Sequence, residues 1–270
     1  MSVTISASLV KELRDQTGAG MMDCKRALEE TGGDLEAART LLREKGKASA
    51  GKRADRATTE GLVGFIVSDG VGSIVGVGCE TEPVSKNAEF QAFAERVLRS
   101  IHADRSDAAE RFEQERLELI GKLGENIVIV GPARFEAPAG HVIAGYAHPP
   151  ANKIGVLVEL EGGSPGLARQ LAMHIAFAEP EWAIRADVPA GTVEAERQIF
   201  LNSDEVQSKP EPAREKIVDG MLAKRFYAAT PGGVLADQAW IHDAAKTVGE
   251  ALAEAGSSIV RFARVSVAGS

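Results

Sequence analysis

Apolar positions in the first fifty residues recur at the three-and-four spacing of amphipathic helices. Leu9, Val10 and Leu13 mark a first helix with Gly18 as its stop. Met21, Met22, Ala27 and Leu28 mark a second, ended by Gly32-Gly33, and Leu35, Ala38, Leu41 and Leu42 a third, capped by Asp34 and stopped by Gly46. The pattern predicts a three-helix bundle over residues 1–46, and a core of roughly forty residues is marginal alone. Periodicity then lapses. Residues 47–61 hold Lys47, Lys52, Arg53 and Arg56 among small residues, which predicts a solvated basic linker.

Beyond Gly61 the runs become short and β-branched. Leu62–Val67 and Ser73–Val77 flank the Gly-containing stretch 68–72, a hairpin signature. The second run leads into Cys79-Glu80-Thr81-Glu82-Pro83-Val84-Ser85-Lys86-Asn87, a polar turn expected to expose Pro83 and Val84 near its apex. Asn87 is the expected cap of a helix whose Phe90, Phe93, Ala94, Val97, Leu98 and Ile101 line one face. A rigid strand and a rigid helix thus hold a short, stiff projection, the construction of a probe pushed into a partner. A second amphipathic helix through Phe112, Leu117 and Ile120 and a strand from Ile127 to Phe135 complete a unit over 62–137.

The plan repeats over 138–270. Val142–Tyr146 and Ile154–Val158 form a second strand pair around His148-Pro149-Pro150, Ser164 caps a helix, and Ser258–Phe262 is the returning strand. Within this copy, 190–228 reads as an inserted antiparallel helical hairpin, helical over 192–207 and 213–227, with Val193, Phe200, Ile217, Met221 and Phe226 as its seam. The fold class expected is α+β: a helical bundle, then two related small subdomains with helices on one side of an antiparallel sheet.

Composition changes this picture little. At 270 residues, with 44% hydrophobic and 26% charged content, the chain reads as a globular protein of about two domains. A net charge of -8 argues against nucleic acid or an anionic membrane as the main partner. The two cysteines are far apart, no apolar run reaches the roughly 18 residues of a membrane span, and the expected location is the cytoplasm.

Reactive constellations are missing. Gly46–Arg53 nearly spells a phosphate-binding loop, but Arg53 stands where a magnesium-binding hydroxyl is required and a helix, not a strand, precedes it. Gly70–Gly76 misses the dinucleotide fingerprint by one residue and lies in a hairpin. Cys79 beside Glu80 resembles a nucleophile with a base, yet neighbours at a strand end point to opposite faces. His174 reads as a structural histidine, whereas the prolines after His148 would hold that ring outward. Two consecutive methionines cannot easily both face inward, so one of Met21 and Met22 is an expected exposed anchor.

Leu13-Arg14 with Thr17–Lys25, and Cys79–Asn87, resemble two signatures of the bacterial elongation factor Ts family, and Gly124–Ile127, Tyr146–His148, Ile154–Val158, Ala172–His174 and Lys246–Val248 are similar too. The resemblance implies a guanine nucleotide exchange factor for elongation factor Tu, with no cofactor, no direct nucleotide binding and no catalytic residue. It implies a ubiquitin-associated-like N-terminal bundle whose Arg14, Met21 and Met22 dock on a helix of the partner's GTPase domain. Glu80, Thr81, Glu82, Pro83 and Val84 would belong to the turn that wedges near the partner's switch and magnesium region. Leu123 and Gly124 would press the same domain, His148 would approach a partner side chain, and the second half would reach the partner's other domains. The family's usual Thr-Asp-Phe-Val stands here as Thr81-Glu82-Pro83-Val84, which removes the inserted ring. Some members carry a further C-terminal helical module; this sequence ends at Ser270 soon after its last strand, so that contact is expected to be missing. The alternative reading is a polypeptide-binding adaptor built on the N-terminal bundle.

Overall fold

The structure, a computed structural model, describes residues 5–51, 53–103 and 108–268. The bundle comprises α1 (Ala7–Thr17), α2 (Met21–Glu30) and α3 (Leu35–Gly51). Each boundary has a local cause. The Ser6 hydroxyl accepts from the Leu9 N–H, Gly18 closes α1 at φ +65°, and Asp34 accepts from the Ala37 N–H. Val10, Leu13, Cys24, Ala27, Leu28 and Ala38 form its buried centre. The third helix does not stop at Gly46. It runs on to Gly51, and Gly46 instead lets α3 cross another helix at backbone distance: a Cβ placed on Gly121 would lie 3.3 Å from the Gly46 Cα. The near-phosphate-loop motif therefore begins inside a helix rather than in a loop after a strand. Of the expected linker, Lys52 and the Lys47 side chain fall outside the described residues, while Thr58 is buried.

Strands β1 (Glu60–Ser68) and β2 (Val71–Cys79) pair antiparallel through a two-residue turn, Asp69-Gly70, both at positive φ. The turn is tighter than the sequence suggests because Val71 and Gly72 already pair with Ser68 and Val67. A one-turn helix, α4 (Glu82–Ser85), is followed by α5 (Ala88–Ala103), α6 (Ala108–Arg111) and α7 (Glu113–Leu123). Then β3 (Ile127–Glu136) returns beside β2, giving the order β1-β2-β3. The second unit repeats this: β4 (His141–Ala147), β5 (Ile154–Glu161), α8 (Pro165–Ala178) and, at the end, β8 (Ser258–Ser266), in the order β4-β5-β8.

Between α8 and β8 lie α9 (Ala190–Leu201), α10 (Asp204–Gln207), α11 (Glu211–Met221), a π-helical stretch Leu222–Tyr227, the small hairpin β6 (Ala239–Trp240) and β7 (Asp243–Thr247), and α12 (Val248–Glu254). The insertion departs from the expected pair of continuous helices. Its first arm breaks at Asn202-Ser203, and the buried seam is Val206, Val218, Met221 and Leu222, with Phe200, Ile217 and Phe226 packed on it and Val193 outside it.

The two sheets stack face to face. Val63, Ile74, Phe135, Ile143, Leu157, Val265 and Val267 are buried between them. Val75, Val77 and Cys79, on the opposite face of β2, pack against Phe90, Phe93, Val97 and Ile120 of α5 and α7. Val156, Val158 and Leu160 of β5 pack against Leu171, Ile175, Val248 and Leu252 of α8 and α12. The layers are therefore helix, sheet, sheet, helix, an α+β arrangement in which the period-two alternation of each strand serves two cores at once. No described helix is long and apolar enough to cross a membrane.

Candidate functional site

Register builds the site. Cys79, the last residue of β2, pairs with Ile127, the first paired residue of β3, and with Glu60, the first of β1. Beyond that rung the amides of Glu80 and Thr81 have no strand beside them, and an unpaired backbone N–H needs an acceptor. Glu125 supplies it. One carboxylate oxygen accepts from the Glu80 N–H (3.1 Å) and the Thr81 N–H (2.9 Å), and the other accepts from the Thr81 hydroxyl (2.5 Å). The brace is mutual, since the Glu80 carboxylate accepts from the Asn126 N–H (2.7 Å) and lies 3.4 Å from Arg56. Gly124, at φ +78°, closes α7 by donating to the Ile120 carbonyl and reverses the chain so that Glu125 meets the loop. The Asn126 amide holds the carbonyls of Ala54 and Arg56, pinning the segment that leaves α3.

The projection itself is α4. The Ser85 hydroxyl donates to the Glu82 carbonyl (2.8 Å), and Asn87 accepts from the N–H groups of Glu89 and Phe90, so the loop passes into α5 without slack. Glu82 and Lys86 pair at 2.6 Å on the outer face, and the ammonium holds the Glu82 carboxyl below its ordinary range. Pro83 is exposed. Val84 is half-buried against the α5 core rather than exposed at the apex, because the single helical turn swings its side chain inward.

One end of the molecule gathers the other expected residues. Leu123 is half-buried and Gly124 exposed immediately before the Glu125 brace. The Lys122 side chain lies across Gly18, where a Cβ would come within 2.3 Å of its ammonium nitrogen, and its ammonium pairs with Glu89. This places the turn before Met21 beside α7. Met21 is 47% and Met22 62% exposed, so both side chains face solvent, not one, and Arg14 is exposed too. On the other flank Lys153 pairs with Glu60, and the Val63 N–H donates to the Asn152 carbonyl, which brings the turn after β4 to the same end. His148 stands there exposed, its Nδ1 2.9 Å from the Tyr146 hydroxyl. Glu80 and Thr81 differ from their neighbours: their polar groups are bound within the brace. Glu125 and Asn126 are what the sequence reading missed as actors, since only the strand register reveals that they face Glu80.

Cys79 is buried, and burial, with the Glu125 carboxylate, pushes its thiol up to about 12. A cleft of about 780 Å³ between the bundle and α7 is lined by Arg26, Arg43, Arg53, Glu118 and Lys122 among others, with no His, Cys or Ser among the described residues. Among the described residues no group of three or more His, Cys, Asp or Glu is placed to hold a metal ion.

The elongation factor TS family profile matches residues 80–269. The sequence is 41% identical to the elongation factor Ts of Thioalkalivibrio sulfidiphilus, over 98% of this chain and 92% of that one. It is 42% identical to that of Dinoroseobacter shibae, over 98% and 93%, and 39% identical to that of Serratia proteamaculans, over 97% and 91%. The chain belongs to the elongation factor Ts family. Its place in translation elongation follows from that membership, and the stretches Thr17–Lys25, Cys79–Asn87 and Gly124–Ile127 that resemble the family meet at the end of the molecule just described.

Proposed function

We propose that this chain is a guanine nucleotide exchange factor that binds elongation factor Tu in its GDP form and promotes GDP release, acting in the cytoplasm without cofactor or chemical step. The observation that carries the reading is the braced projection: a single helical turn bearing exposed Pro83, fastened at its base by Glu125 and Glu80 and at its far side by Asn87. GDP in a translation GTPase is held by a backbone phosphate cradle, a lysine and Mg²⁺. A factor that binds the nucleotide-free partner more tightly than the nucleotide-bound one weakens nucleotide binding by the same ratio, and GTP displaces the factor by the same reciprocity. No reactive group is required.

In this reading Glu82, Pro83 and Val84 enter near the switch and magnesium region, and Leu123 and Gly124 press the same domain. Arg14, Met21 and Met22 dock on a helix of that domain, His148 approaches a partner side chain, and the second unit with its helical insertion meets the partner's other domains. Glu80 and Thr81 take part by holding the wedge. Pro83 offers less apolar area than the family's phenylalanine, worth about 1 kcal/mol of insertion, and acts through stiffness with Val84 beneath it. A substoichiometric amount of the chain should accelerate release of labelled GDP from elongation factor Tu; no acceleration at micromolar concentration ends the proposal. Pro83→Phe should raise the release rate further, and an unchanged or slower rate would show that this wedge does not work by inserted area. The exposure of both Met21 and Met22 favours, as a second reading, a polypeptide adaptor built on the bundle. Deleting residues 1–50 separates the two: an adaptor loses all binding, whereas an exchange factor retains residual GDP release through its core.

A further inference from the structure

We infer that Glu125 is the positioning residue of the wedge: its carboxylate sets where Pro83 points, and so sets how strongly the chain distinguishes a nucleotide-free partner from a nucleotide-bound one. The inference rests on the exchange reading and deepens it.

The geometry is specific. Three donors from two consecutive residues, the N–H groups of Glu80 and Thr81 and the Thr81 hydroxyl, converge on one side chain at 2.5–3.1 Å. They are the first donors past the end of β2, where the pairing of Cys79 with Ile127 and Glu60 stops, and Pro83 follows two residues later. Hydrogen bonds to a charged group are stronger than neutral ones, and each confines the backbone it holds. The remaining fastenings reach the Thr81 carbonyl, which accepts from the Cys79 thiol and the Ser85 N–H, or lie on either side of this point. The Glu80 carboxylate is held by the Asn126 N–H, and the far end of the projection by Ser85 and Asn87. Without Glu125 the stretch 80–82 keeps its flanks and its carbonyl contacts, but the N–H groups of Glu80 and Thr81 and the Thr81 hydroxyl lose the acceptor that aims them. A loosened loop must be ordered on insertion, and that cost falls only on the complex in which the wedge is inserted.

Glu125→Ala should therefore weaken binding to nucleotide-free elongation factor Tu by about tenfold, leave binding to the GDP complex within about twofold, and lower the maximal rate of GDP release by about tenfold. Glu125→Gln should recover most of this. Its amide oxygen can accept from the two backbone N–H groups, and its NH₂ can donate to the Thr81 hydroxyl, so the brace survives without the charge. Amide hydrogen exchange of the free chain should show Glu80 and Thr81 losing protection in the alanine variant and regaining it in the glutamine variant.

The inference is overturned if folded Glu125→Ala keeps the wild-type ratio of the two affinities, or if Glu125→Gln fails as badly as alanine. A carboxylate that merely sealed the sheet end would change protection and leave that ratio alone. Should Glu125→Ala not fold, Thr81→Val removes only the hydroxyl bond and should show a smaller loss in the same direction; no loss overturns the inference. Failure of the exchange reading is distinguishable, because the wild-type chain would then already fail to release GDP.

Discussion

At the scale of single residues, Cys79 shows how burial decides chemistry. Its Sγ donates to the Thr81 carbonyl at 3.3 Å, and desolvation first, then Glu125, raises its pKa from 9.0 to about 12. At neutral pH it is a thiol and a poor nucleophile. The folded chain holds this proton more tightly than the unfolded chain, so the associated stability is intact below about pH 9 and is lost as pH climbs toward 12. The loss approaches about 1.4 kcal/mol per pH unit within that window. Urea unfolding at about pH 8 and about pH 10.5 should therefore show a steeper decline for wild type than for Cys79→Ala. Equal declines would mean that the thiol titrates normally. Caps are the residues most readable from sequence: Asp34, Asn87 and Ser164 each bond an N–H two or three positions ahead, a relation that short stretches of chain settle alone. Val84 and Glu125 are not readable this way, because what each faces is separated from it by a fold.

At the scale of elements, α3 and α7 show a glycine doing the opposite of what its position suggests. Gly46 reads as a stop, but in the absence of a positive φ a glycine can equally mark close approach. The backbones of Gly46 and Gly121 meet, and the two sites differ in room: a Cβ on Gly46 would lie 3.8 Å from Gly121, whereas one on Gly121 would lie 3.3 Å from Gly46. Gly46→Ala should stabilise the chain by about 0.5–1 kcal/mol through helix propensity with little crowding. Gly121→Ala should gain nothing or lose, because the same propensity is offset by the contact. Thermal midpoints of the two variants decide it; equal gains would show that the helices separate freely. The insertion carries a related lesson. Its amphipathic pattern identified two arms, but Asn202-Ser203 and the π-helical turn at Leu222–Tyr227 shift the seam onto Val206, Val218 and Leu222.

At the scale of the whole molecule, two copies of one small unit share a sheet-to-sheet core, and glycines on facing strands let them approach. A Cβ on Gly145 would fall 2.1 Å from the Phe65 ring, and one on Gly72 would fall 2.5 Å from an Ile143 methyl. Gly145→Ala should cost about 1–3 kcal/mol, since the Phe65 ring would have to leave its place between the sheets. A lowered urea midpoint checks this, and an unchanged one would mean that the sheets part without penalty. The stacking also explains why the expected site residues from distant parts of the sequence share one end: β1 starts, β2 ends, β3 starts and the turn after β4 arrives there, with α7 leading in. Deep burial of β2 on both faces was visible as an unbroken apolar run, but nothing in that run names its second partner.

Local chemistry thus fixed the longer helices, the strand pair that opens each unit, the caps, the duplicated order of those elements and the polar projection after Cys79, because spacing, turn residues and short-range hydrogen bonds act over a few positions. The tertiary structure alone decided the face-to-face stacking of the sheets, the extension of α3 past Gly46, the outward aim of both methionines and the Glu125 brace. The stacking, the extension and the brace depend on strand register or on a second backbone arriving within van der Waals distance, and the aim of the methionines on which face of α2 the other two helices cover; no single stretch of the chain contains both partners.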